Sequence, residues 1–72
     1  MKYFDIDYFE INIGDIFTKN KNVLCEDCYK IVQFDGFIGY KNNYGNRVKI
    51  KEGLNNIYKV HKEKDPHVFL IL

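Results

Sequence analysis

The 72-residue sequence predicts a small, mostly β single domain spanning residues 1–72. Three observations predict it. Short runs alternate apolar and polar residues with a period of two, helical periodicity is missing, and Gly, Asn and Asp clusters punctuate the runs. The composition is 46% apolar and 17% aromatic with net charge +1, too hydrophobic and too weakly charged for a disordered chain. A domain this short has a core that stabilises it by only about 3–5 kcal/mol, so a staple or an oligomer is expected.

The elements follow in order. Phe4, Ile6 and Tyr8 fall on one face of an extended segment, with Asp5 and Asp7 on the other, toward solvent. The phase then changes to Phe9, Ile11 and Ile13, which places a turn or bulge near Tyr8 and Phe9. Gly14 allows another turn before Ile16 and Phe17, and Asp15 beside it is a turn residue. Residues 19–22 (KNKN) read as a loop. Residues 29–34 (YKIVQF) and 37–41 (FIGYK) form a hairpin across Asp35-Gly36, a dipeptide suited to a type I′ turn. Its register sets Tyr29 and Ile31 on the face of Ile38 and Tyr40. Asn42 to Asn46 make a second turn, and the next strand alternates strictly, Val48 and Ile50 inward, Arg47, Lys49 and Lys51 outward. A turn or single helical turn covers residues 52–56, extended structure resumes over residues 57–61, and residues 62–66 break it. His67 to Leu72 is a continuous apolar ending, which predicts a doubly buried strand or self-association through it.

These elements add up to an antiparallel meander of five to six strands without repeats or linkers. The Ile13-Gly-Asp-Ile-Phe17 strand, the Asp35-Gly36 hairpin, a further strand, the Glu52-Gly-Leu-Asn-Asn56 turn and a closing strand resemble an SH3-like barrel over roughly residues 11–61. The resemblance implies a small closed barrel with a short helical turn near residues 52–56. It implies nothing about ligand, since no peptide-binding signature of that fold maps onto these residues.

Net charge is unevenly placed: through Thr18 one Lys stands against Asp5, Asp7, Glu10 and Asp15, so this part carries −3 and the remainder +4. A balanced total argues against a dedicated nucleic-acid binder and against an acidic DNA mimic. The N-terminal run MKYFDIDYFE interrupts any signal-peptide core with carboxylates, and no apolar run approaches a membrane span. A cytoplasmic protein with reduced thiols is expected. Heavy use of Asn, Lys, Ile and Tyr is associated with AT-rich coding, as in a low-GC bacterium, its phage, or a virus; a phage-encoded protein would act in the host cytoplasm.

Cys25-x-x-Cys28 followed by His61 and His67 has the donor types of a structural zinc site, which takes four tetrahedral N or S ligands. The 32 residues between Cys28 and His61 exceed the spacing of an ordinary finger. In the alternative reading the cysteines are small packing residues and the histidines flank an exposed turn. Redox use is disfavoured because the residues after Cys28 read as strand, where a thiolate-stabilising helix is needed. No cofactor besides zinc is indicated.

The Asp5 and Asp7 row reads as an outward acidic edge that discourages strand pairing, or docks a basic partner together with Tyr3 and Tyr8. Tyr40, Lys41, Tyr44, Arg47, Lys49 and Lys51 interleave aromatics with cations, as surfaces for single-stranded nucleic acid do. The chain has no Ser, no phosphate-cradling loop and no base placed beside its cysteines, so enzymatic activity is not expected. The leading expectation is a non-enzymatic domain that binds another protein, as a small inhibitor or adaptor, through the edge around Tyr3, Asp5, Asp7 and Tyr8 and the 40–51 hairpin with Tyr40, Tyr44, Arg47, Lys49 and Lys51. Nucleic-acid binding by the Tyr40–Lys51 hairpin and a zinc-stapled structural module are the alternatives.

Overall fold

The computed structural model describes residues 2–22, 27–64 and 66. Among these residues eight short strands form: β1 (Tyr3–Phe4), β2 (Ile16–Thr18), β3 (Cys28–Lys30), β4 (Val32–Phe34), β5 (Phe37–Lys41), β6 (Arg47–Lys49), β7 (Gly53–Leu54) and β8 (Tyr58–Lys59). They make two antiparallel three-stranded sheets, ordered β3-β2-β8 and β4-β5-β6, and one small pair, β1-β7. The described residues are therefore strand-rich and almost without helix, as the period-two pattern predicts.

One extended segment belongs to both sheets. β3 pairs with β2, β4 pairs with β5, and only Ile31 separates β3 from β4. Ile31 is fully buried. Its N–H donates to the Asp15 carbonyl and its carbonyl accepts from Gly14 N–H, so the loop before β2 holds the chain at the bend. The buried cluster of Ile11, Phe17, Ile31, Tyr40, Ile50 and Ile57 draws on both sheets, with Tyr3, Tyr29, Ile38 and Val48 packed against it.

The Asp35-Gly36 hairpin has the predicted register, Phe34 opposite Phe37 and Val32 opposite Gly39. Its turn differs. Only Gly36 has positive φ (85°), whereas type I′ needs it at both central residues, so the sign pattern is that of type II. The Gln33 side-chain amide donates to the carbonyls of Phe34 and Phe37 and ties the turn from outside. In the Asn42–Asn46 turn the Asn42 carboxamide accepts from Tyr44 and Asn46 N–H.

Three expectations are corrected. Phe9 and Ile13 are exposed, so of the predicted inward set only Ile11 enters the core. The segment is a tight return instead of a strand, with Glu10 bridged to Phe4. Residues 52–56 contain no helical turn. Gly53–Leu54 pair in parallel with Tyr3–Phe4, an exception to the antiparallel meander, because the Asn55 side chain organises the loop instead. That side chain is buried, accepts from Lys51 N–H, and donates to the carbonyls of Lys51, Gly53 and Phe4 at 2.9, 3.1 and 3.3 Å. Asn55→Ala leaves these groups without that partner and is expected to lower stability by about 2–3 kcal/mol, read from urea denaturation. Finally, eight strands stand among the described residues where five to six were expected, because the bend at Ile31 divides one predicted strand and Gly53–Leu54 form a strand where a turn was expected.

The apolar ending, residues 67–72, lies outside the described residues. No helix among those described is long and apolar enough to cross a membrane.

Candidate binding site

The segment after β1 builds the most distinctive local structure. Asp5 is 1% exposed, where alternation predicted an outward residue. Its Oδ1 accepts from the N–H groups of Asp7 and Phe9, and its Oδ2 accepts from Lys59 N–H, all at 2.9 Å. The reason is local. Short carboxylates satisfy backbone donors two residues on and so compete with strand continuation. Asp5 closes its own turn and clamps that turn to β8. Ile6 N–H adds a bond to the Ile57 carbonyl.

The clamp displays side chains. Tyr8 takes φ 65°, a left-handed conformation that costs an L-residue about 1–2 kcal/mol, and remains 73% exposed. Phe9, 45% exposed, stands edge-on to the His61 ring with centroids 4.5 Å apart. Beside this turn opens a cleft of about 340 Å³ lined by Ile6, Phe9, Tyr58 and His61, by the cations Lys21, Lys59 and Lys64, and by one carboxylate, Asp7. The Lys59 ammonium is engaged by Asp15 Oδ2 at 3.2 Å and the Glu10 carbonyl at 2.9 Å, whereas Lys21 and Lys64 are exposed. An aromatic lining with three cations against one carboxylate suits a ligand that is apolar and carries negative charge.

The other predicted contacts divide by burial. Tyr3 is half-buried and packs on the core, so it joins Asp5 as structural instead of displayed. Tyr40 is also in the core. Its ring lies 4.8 Å from Phe17 and 5.1 Å from Tyr29. It therefore cannot stack on an external ligand as the hairpin reading required. Asp7, Tyr8, Tyr44, Arg47, Lys49 and Lys51 are exposed, Tyr44 to 89%.

Over Tyr29 and Tyr40 sits the Lys19 ammonium, 5.5 and 5.3 Å from the ring centroids. A hydrogen bond with the Tyr40 hydroxyl, and to a lesser degree the two phenols' charge, raises the Lys19 pKa above its ordinary 10.5 against some desolvation. A raised pKa means that this contact stabilises the fold fully below about pH 10.5 and fades as pH rises through the folded-state value. Lys19→Met is expected to cost about 0.5–1 kcal/mol at neutral pH, measured by chemical denaturation.

Of the four zinc candidates, Cys25 and His67 lie outside the described residues. Cys28 is opposite Thr18 at one end of β2, on one side of that strand. His61 follows Val60, whose N–H reaches Ile16 at the other end, on the β8 side. Among the described residues no three His, Cys, Asp or Glu side chains gather. Sequence reasoning missed the cleft because Lys21, Tyr58, His61 and Lys64 approach Phe9 only through sheet pairing. Comparison with known proteins finds no matching family, no matching curated protein and no matching solved structure.

Proposed function

We propose that this chain is a non-enzymatic domain that binds another protein, through the Asp5-clamped turn and the cleft beside it. The observation that carries this reading is the outward display of Tyr8 and Phe9 on a rigid, backbone-strained turn. Strain at a surface aromatic gives the fold nothing, whereas rigid aromatics are favoured interface anchors because little entropy is lost on docking. The cationic margin selects the partner: a segment with an apolar or aromatic residue for the cleft and a carboxylate for Lys21 and Lys64. The strand order β8-β2-β3/β4-β5-β6, with one bent strand shared by two sheets, supports reading the scaffold as an SH3-like barrel.

The test is selection from a displayed random-peptide library. Wild type is expected to enrich acidic, aromatic-containing peptides, and the Tyr8→Ser/Phe9→Ser double variant to lose them while Tyr44→Ser keeps them. No enrichment by wild type, or enrichment untouched by the double variant, defeats the reading. Tyr8→Gly separates binding from folding. Glycine relieves the left-handed backbone, so stability should hold or rise by up to about 1 kcal/mol while peptide binding falls.

A further inference from the structure

The β4-β5-β6 sheet has a second face whose composition the protein-binding reading does not use. By register, Val32, Gly39 and Lys49 lie abreast, Phe34 lies beside Phe37, and Lys41 lies beside Arg47, all on the side opposite Ile31, Tyr40 and Ile50. Its charged side chains are Lys41, Arg47 and Lys49, all exposed, and Lys51 continues the row with the same alternation. The nearest carboxylates in sequence, Asp35 and Glu52, sit in the turns beyond Phe34 and Lys51. Although the molecule is nearly neutral, this face is cationic.

It also keeps two aromatic rings at its surface. Phe34 and Phe37 are half-buried, with centroids 5.1 Å apart and planes at 38°. The Arg47 guanidinium carbon lies 5.2 Å from the centre of the Phe34 ring. Arg47 pairs with Lys41 and Phe34 with Phe37, so this contact crosses the sheet diagonally, and the crossing point is Gly39, where no side chain stands in the way. Outward cations on an edge strand discourage aggregation, which explains Arg47 and Lys49 as charges. It does not explain an arginine laid across Gly39 onto a phenylalanine pair.

We propose that this face binds single-stranded nucleic acid, with bases against Phe34 and Phe37 and phosphates along Arg47, Lys49 and Lys51. Alternate residues of a strand are about 6.7 Å apart, a step on the scale of one nucleotide of an extended single strand. Every base offers a π-face, so stacking here is tolerant of sequence, and Arg47 supplies a further flat cation for it. This site replaces the hairpin reading built on Tyr40: the stacking residues are the phenylalanines of β4 and β5. It is independent of the turn at Tyr8, which packs on the other sheet.

Fluorescence anisotropy with labelled 15-mer oligo-dT and oligo-U and a 15-base-pair duplex tests it. Both single strands are expected to bind the wild-type protein more tightly than the duplex, with log affinity falling against log salt at a slope of about −2, for three phosphates neutralised. Arg47→Ala/Lys49→Ala should reduce the slope by about 1.4. Phe37→Leu, which keeps bulk but removes the ring, should weaken binding about tenfold without changing the slope. Lys21→Ala/Lys64→Ala, in the cleft, should change neither, so failure of this site and failure of the cleft are read separately. No binding of either single strand at 50 mM salt overturns the proposal. Equal binding of duplex and single strand does so too, as does an affinity and salt slope left unchanged by Arg47→Ala/Lys49→Ala.

Discussion

Gly39→Ala is expected to abolish folding. A Cβ built on Gly39 falls against the carbonyl oxygen of Val48, with the Val48 carbonyl carbon at 2.9 Å and Lys49 Cα at 3.1 Å. All three are backbone atoms of β6, so no rotamer change makes room. β6 would have to leave β5, and with it the pairing of Tyr40 with Val48 and Lys41 with Arg47. Two inward residues of the core region, Val48 and Ile50, would be withdrawn together. Large overpacking costs about 1–3 kcal/mol even where side chains can yield, and here they cannot. A domain of this length has roughly 4–11 kcal/mol in total. Circular dichroism and one-dimensional proton NMR check the outcome. A folded Gly39→Ala protein with wild-type melting would mean that β5 and β6 do not approach as described.

Asp5→Ala is expected to be the next most damaging single change. The carboxylate is buried and bonded to three backbone N–H groups, those of Asp7, Phe9 and Lys59. Leaving a buried donor unpaired costs about 1–3 kcal/mol, so three at the low end already reach about 3 kcal/mol, a large share of the whole. The loss is also long-range, since the Lys59 bond joins residues 54 positions apart in sequence. Asp5→Asn should fall between wild type and Asp5→Ala, because one oxygen can still accept while its NH2 faces a backbone donor. Hydrogen exchange at Asp7, Phe9 and Lys59 amides gives the local reading: their protection should drop before global unfolding does. If Asp5→Ala melts with wild type, the clamp is not what holds the turn. The same variant should also weaken the peptide binding assigned to Tyr8 and Phe9, whereas oligonucleotide binding by the β4-β5-β6 face should persist at temperatures where the variant remains folded.

Much of the architecture was legible in the sequence, because period two and turn chemistry act locally. The Asp35-Gly36 hairpin, the Asn42–Asn46 turn, the turn at Gly14, the turn near Tyr8 and the strict alternation from Arg47 to Lys51 need only neighbouring residues to specify them. The exceptions are places where a contact distant in sequence outweighed the local pattern. Asp5 looks like a solvent-facing residue until the Lys59 N–H is brought to it, and Asn55 looks like a helical-turn residue until the Phe4 carbonyl arrives. Tyr40 suits, by sequence, both the core and a stacking surface. Packing against Phe17 and Tyr29 decided for the core.

The candidate surfaces divide in the same way. The sequence by itself determined that the domain is strand-rich, where its turns fall, and that Arg47, Lys49 and Lys51 face outward, because each depends on a period or a dipeptide. Only the tertiary structure decided that Phe9 shares a cleft with Lys21 and Lys64, that Arg47 reaches Phe34, and that Gly39 must remain glycine. Those outcomes depend on which strands lie side by side, and strand pairing is set by burial of the whole core, which no local pattern encodes.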